Sequence, residues 1–125
     1  MTPAYLLSDL VMACEKGAAF VTRGARATAT ADFGLLTEAA ILAFVAAGGI
    51  ESPTHIHTKS WENNPDPMAI VHIDSYRFYS GSTCGYLAFG LMPATGKWMI
   101  KSFKGNDERD PRAFLLAAKL RKAGY

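Results

Sequence analysis

Cysteine is scarce in this sequence, and no apolar run is long. The two cysteines, Cys14 and Cys84, lie far apart and belong to no CxxC pattern, which argues against a disulfide framework and predicts buried free thiols in a reducing compartment. The most apolar run, residues 39–50, is too short to cross a bilayer core of about 30 Å at about 1.5 Å per residue. We therefore expect a cytoplasmic protein with no membrane partner.

The start of the chain also lacks the features of a secretory signal, because no basic segment precedes its apolar positions and Asp9 and Glu15 interrupt them. The formal net charge of +2 neither requires nor excludes a nucleic-acid partner, since phosphate binding depends on local basic patches. Half of the 125 residues are hydrophobic. This composition predicts one folded domain that spans residues 1–125.

Helical patterns fill the first part of the chain. Apolar positions at helical spacing predict a first helix over residues 5–16, with Gly17 as its C-cap. A second helix is predicted over residues 23–33, ended by Gly34, although its threonines give it a low intrinsic propensity. Thr37 is expected to cap a third helix that ends at the following glycine pair.

The second part of the chain has the alternation of strands. Three antiparallel strands are predicted over residues 68–79, 83–92 and 97–103, preceded by a loop at residues 62–67. Asp110 is expected to begin a terminal helix. The predicted class is α+β: a small antiparallel sheet of three to four strands, with the N-terminal helices packed on one face and a C-terminal helix.

Two of the three histidines, His55 and His57, form an HxH pair. On an extended segment both side chains are expected to point to the same side, so they could ligate one metal with His72 or Asp74. No HExxH motif or cysteine cluster supports such a site. We therefore expect no metal and no other cofactor, and a metal-dependent hydrolase built on the three histidines stays as an alternative.

Cleavage of RNA by its own 2′-hydroxyl needs a base, an acid, and cations that hold the charge on the phosphate. Side chains of these kinds are concentrated in or beside the predicted sheet, and the first fifty residues offer few. The candidates are His55, His57, Lys59, His72, Arg77, Tyr86, Lys101 and Lys104.

Aromatic side chains beside these candidates could stack on bases. Most of them are expected in the core, and Trp61 and Tyr79 are expected to be the exposed ones. The candidates for stacking are Trp61, Tyr76, Phe78, Tyr79 and Trp98.

The order of several short motifs resembles the MqsR family of toxins from bacterial toxin–antitoxin pairs. The motifs lie between residues 6 and 104 and read LLSDLVMACEKG, AFVTRGARATATADFGLLTEAAILAFVAAG, THIHTKSW, HIDSYR, GYLAFGL and IKSFK. The resemblance implies a RelE-like ribonuclease fold and an endoribonuclease that cuts messenger RNA. It also implies an antitoxin partner, encoded by a neighbouring gene, that holds the enzyme inactive.

The resemblance also implies roles for individual residues. The family's tyrosine falls on Tyr86 and its closing lysine on Lys104, whereas its middle lysine falls on or beside His57, with Lys59 nearby, and its glutamine near His72. We expect His57 to act as general base or acid, Tyr86 to position or protonate the substrate, and Lys59 and Lys104 to hold the phosphate. The residues assigned to RNA binding are His55, His72, Arg77 and Lys101.

A second reading belongs to a different class of protein. The same basic and aromatic sheet face could bind RNA or a protein without cutting it, as a non-catalytic module.

Overall fold

The computed structural model describes residues 2–62, 64–65 and 68–106. This part of the chain forms three helices and five strands. In chain order they are α1 (Leu7–Lys16), β1 (Ala19–Val21), α2 (Arg23–Phe33), α3 (Glu38–Ala46), β2 (Glu51–Ser60), β3 (His72–Ser80), β4 (Thr83–Leu91) and β5 (Trp98–Gly105). The predicted terminal helix beginning at Asp110 lies outside the described residues.

The strands form one mixed sheet in the order β1-β5-β4-β3-β2. Strand β1 runs parallel to β5, and all other neighbours are antiparallel. The α+β class is therefore confirmed, but the prediction of three to four antiparallel strands is corrected to five strands in a mixed sheet. The two strands that the pattern missed are the edges: β1 has only three residues, and β2 carries polar residues on both sides.

Local signals place the ends of α1 and α2 and the start of α3 as predicted, whereas α3 ends at Ala46, before the glycine pair. Gly17 and Gly34 end α1 and α2 in the left-handed conformation, with φ of 71° and 70°, a region that other residues enter only with strain. The Thr37 side chain accepts a hydrogen bond from the Ala40 backbone N–H at 3.0 Å and caps α3.

Threonines lower the intrinsic helix propensity of α2, but two threonines, at its N-cap and within it, form hydrogen bonds that join the helix to the sheet. Thr22 caps the helix and donates its hydroxyl to the Lys101 carbonyl at 3.1 Å. Thr28 donates to the Phe103 carbonyl at 2.6 Å. Contacts to β5 thus compensate for the low helix propensity.

The main core lies between the three helices and one face of the sheet, as predicted for the N-terminal helices. Alternation along the strands brings large apolar side chains to this face. Its fully buried members include Leu10, Ile41, Phe78, Phe89 and Phe103. Both thiols are free and buried, as predicted, and burial raises the pKa of Cys14 to about 11, with a smaller contribution from Glu15.

A buried carboxylate joins the N-terminal segment to the sheet. Asp74, whose side chain is fully buried, accepts hydrogen bonds from the backbone N–H groups of Ala4 at 3.0 Å and Tyr5 at 2.9 Å. The Thr58 hydroxyl on β2 donates to the same carboxylate at 2.5 Å. These bonds compensate for the cost of removing a carboxylate from water.

Among the described helices, none is long and apolar enough by itself to cross a membrane. Helices α2 and α3 together satisfy the length and composition test, but they are bent by 71°.

We expect Asp74→Asn to lower the free energy of unfolding by about 2 to 4 kcal/mol, because an amide cannot accept hydrogen bonds on both sides as the carboxylate does. Urea titration followed by tryptophan fluorescence measures the change. Glu15→Gln, which alters an exposed carboxylate, is the matched control and should stay within about 0.5 kcal/mol of the parent. Equal effects for the two variants would contradict this assignment.

Candidate functional site

The sheet face opposite the helices carries a second, smaller apolar cluster. Val71, Ile73, Ala88 and Met99 are buried there, and Phe20, Trp61, Tyr86 and Met92 pack against them partly exposed. These side chains alternate with those of the main core along β3, β4 and β5. The described chain therefore has a sheet face that no described helix covers.

A cleft with a volume of about 300 Å³ opens on this face. It is built from residues far apart in sequence, contributed by β2, β3, β4, β5 and the segment after β2. The lining residues are His57, Lys59, Ser60, Trp61, Glu62, Ile73, Ser75, Tyr86, Ala88 and Lys101. Three of the four predicted catalytic residues thus share one cleft with Lys101, which was predicted to bind RNA.

A β-bulge at Ile56 decides which histidine enters the cleft. His55 pairs with Tyr76, and His57 pairs with Ser75. A move of two residues along β2 therefore corresponds to a move of one residue along β3. The extra residue puts His55 on the helix side of the sheet and His57 on the cleft side. The prediction that the two histidines point to the same side is therefore wrong, because it assumed an unbroken strand.

His57 lies on the edge strand β2, beside β3. It is half-buried, and its backbone partner Ser75 also lines the cleft. Within the described residues, the Nδ1 atom of His57 is buried and has no hydrogen-bond partner. Buried polar atoms are nearly always paired in folded proteins, so an unpaired imidazole nitrogen singles out this residue.

Tyr86 is held by contacts on two sides. Its hydroxyl donates a hydrogen bond to Ser75 Oγ at 2.8 Å, and Lys104 Nζ lies 5.3 Å from the centre of its ring, within the range of a cation–π contact. Register places Arg77, Tyr86 and Lys104 in one row across β3, β4 and β5. Lys104 and Arg77 therefore border the cleft without lining it.

Two lysines bring positive charge to the cleft. Lys59 comes from β2 and is exposed, and Lys101 comes from β5 and is half-buried. Among the described residues of the lining, Glu62 is the one acidic side chain, and it is exposed. With Lys104 and Arg77 nearby, the charge around the cleft is predominantly positive, which suits an anionic ligand.

The other two histidines are not brought to the cleft. His55 Nε2 lies 2.9 Å from Thr58 Oγ1 and 3.8 Å from Asp74 Oδ1, and its ring packs edge-on against Tyr76. The pKa of the Tyr76 hydroxyl is raised, mainly by burial and to a smaller extent by the charge of Asp74. His72 is exposed, and strand alternation puts it on the side of Asp74.

Comparison of the chain with protein-family models, with curated proteins and with solved structures gives no match.

A metal centre made of the three histidines is not assembled. Within residues 2–62, 64–65 and 68–106, no group of three or more His, Cys, Asp or Glu side chains is placed to hold a metal ion. The physical reason is the bulge, which separates His55 from His57 by the thickness of the sheet.

Ser75 is the functional candidate that the sequence prediction missed. A single serine in a strand belongs to no recognisable sequence motif. Strand alternation nevertheless puts Ser75 on the same face as Arg77, and this pattern could have identified it. Among the aromatic residues, Tyr76 and Phe78 are buried and Trp61 is partly exposed, as expected. The expected exposure of Tyr79 is wrong, because only 7% of its surface is exposed.

The Tyr86–Ser75 hydrogen bond is testable by a double-mutant cycle. We expect Ser75→Ala and Tyr86→Phe each to destabilise the fold, with a coupling energy of about 0.5 to 1.5 kcal/mol, because each change removes the same bond. Urea unfolding of the four proteins measures the coupling. Strictly additive losses would show that the hydroxyl groups do not interact in solution.

Proposed function

We propose that the protein is an endoribonuclease that cuts single-stranded RNA by attack of the 2′-hydroxyl on the adjacent phosphorus, without a metal ion. The observation that carries the proposal is the convergence of His57, Lys59, Tyr86 and Lys101 on one cleft. Imidazole, phenol and ammonium groups together supply the base, acid and charge stabilisation that this reaction needs.

His57 is assigned the proton transfer from the 2′-hydroxyl. Imidazole is the side chain that exchanges protons most readily near neutral pH, whereas an ammonium group can only donate. The released 2′-oxygen attacks phosphorus and forms a 2′,3′-cyclic phosphate, and the bond to the 5′-oxygen breaks. Tyr86, oriented by Ser75, is assigned the proton that the leaving 5′-oxygen takes up.

Lys59 and Lys101 are assigned to the phosphate. Negative charge grows on its non-bridging oxygens as the 2′-oxygen attacks, and two ammonium groups in the cleft stabilise that charge. Lys104 and Arg77 border the cleft and attract the neighbouring phosphates of the strand. This assignment moves Lys101 from RNA binding to catalysis and Lys104 in the opposite direction.

We further propose that the protein is the toxin of a toxin–antitoxin pair on a RelE-like fold, held inactive by an antitoxin encoded beside it. The order of motifs that resembles the MqsR family supports this proposal, and so does the α+β architecture with helices on one sheet face. The resemblance places a lysine where His57 stands, so proton transfer by imidazole would distinguish this chain from that family.

We expect the purified protein to cut single-stranded RNA in excess EDTA and to leave 2′,3′-cyclic phosphate ends. His57→Ala should reduce the rate by about 10²- to 10⁴-fold, because it removes the proton acceptor. Lys101→Ala should reduce it by about 10²- to 10³-fold, because it removes a charge from the transition state. Electrophoresis of end-labelled RNA measures both rates.

The matched control is His72→Ala, which removes an exposed histidine from the other side of the sheet and should leave the rate within about twofold. Binding of RNA without new ends would support the non-catalytic module instead. Activity that EDTA abolishes would contradict the metal-free mechanism, and an unchanged rate in His57→Ala would contradict the assigned base.

Expression in a bacterial host tests the toxin proposal. We expect induction to stop growth, because cleavage of messenger RNA stops translation, and we expect co-expression of a protein from a neighbouring reading frame to restore growth. His57→Ala should be tolerated at the same protein level, as judged by immunoblot. Growth arrest that persists in His57→Ala would separate toxicity from RNA cleavage.

A further inference from the structure

We propose that Trp61 is the base-binding wall of the cleft, where its indole ring stacks on one unpaired RNA base beside the phosphate held by Lys59 and Lys101. The inference deepens the proposed function and depends on RNA as the ligand. It assigns a binding role to the apolar part of the cleft, which the cleavage chemistry does not use.

The position of Trp61 is fixed by its backbone and its packing. It directly follows β2, and its backbone N–H donates to the Val71 carbonyl at 2.8 Å. Its side chain packs against the second apolar cluster, lines the cleft and stays partly exposed. A flat ring held in this way loses little conformational freedom on binding.

The other tryptophan shows what a structural indole looks like in this fold. Trp98 packs on the helix side, edge-on to Tyr5 at a centroid distance of 5.1 Å and near Phe89 at 6.1 Å. In the described part of the chain, no aromatic ring is paired with Trp61. The indole of Trp61 is therefore available to a ligand ring.

The composition of the cleft suits one nucleotide. Trp61, Ile73 and Ala88 form an apolar part, and His57, Lys59 and Lys101 form a part that suits a phosphate. A purely anionic ligand would leave the apolar part unused, whereas a nucleotide uses both. The volume of about 300 Å³ lies at the lower end for small-ligand pockets.

Stacking on Trp61 would discriminate against a duplex. A base inside a double helix is stacked on both faces and cannot lie against the indole unless it leaves the stack. The wall therefore selects RNA whose bases are already unstacked, and it does so without reading the base edge, because every base has an aromatic face.

Fluorescence tests the inference without any cleavage. In Trp98→Phe, Trp61 is the remaining tryptophan of the chain, so emission under selective tryptophan excitation reports on this ring alone. The probe is a short single-stranded DNA oligonucleotide, which lacks the 2′-hydroxyl and cannot be cut by the proposed mechanism. We expect saturable quenching by the single strand and little quenching by the same sequence held in a hairpin stem.

Variants of Trp61 separate stacking from a structural role. Measured by anisotropy with a labelled oligonucleotide, Trp61→Ala should weaken binding by about 5- to 150-fold, and Trp61→Phe should restore most of the affinity because its ring also stacks. Urea unfolding of each variant shows whether the fold is intact, and the Trp98→Phe quenching needs no change at Trp61.

The outcomes distinguish this inference from the proposed function. RNA cleavage without quenching in Trp98→Phe would contradict base stacking on Trp61 but would leave the proposed nuclease activity intact. Equal oligonucleotide affinity in Trp61→Ala and the parent protein would do the same. Quenching without RNA cleavage would support base stacking on Trp61 and contradict the proposed nuclease activity. Equal quenching by single strand and hairpin would overturn the selection of unpaired bases.

Discussion

The fold depends on the buried carboxylate of Asp74. It lies where three parts of the chain meet: the N-terminal segment through Ala4 and Tyr5, the edge strand β2 through Thr58, and the centre of the sheet through β3. An unpaired carboxylate at this position would be costly, so each of the three parts is required to be in place. The Thr58–Asp74 bond lies at a point where these two residues are also register partners, so it links β2 to β3 in the observed alignment.

The bulge at Ile56 then divides the histidines between two environments. On the helix side, His55 joins Thr58 and Asp74 in a hydrogen-bonded group that stabilises the fold. On the other side, His57 faces a cleft rich in positive charge, and its Nδ1 has no hydrogen-bond partner in the described part of the chain. One inserted residue thus gives His55 a structural role and His57 a candidate catalytic role.

The parts of the fold that local physics determines were predictable from sequence. Gly17, Gly34 and Thr37 mark helix ends through backbone conformation and capping, and alternation marks β3, β4 and β5. The edge strands were not predictable, because β1 is too short to alternate and β2 is polar on both sides. The residue types of the site were predicted, but their division between faces depends on the bulge, which no residue in the HxH stretch signals.

The cleft draws on strands from Glu51 to Gly105, and this has a consequence for the order of events during synthesis. Lys101 belongs to the last described strand, and β5 must insert between β1, made near the start, and β4. Until that pairing closes, the emerging polypeptide has neither a complete main core nor the cleft. The nascent chain therefore lacks the activity of the cleft until translation has passed β5 and β5 has paired with β1 and β4.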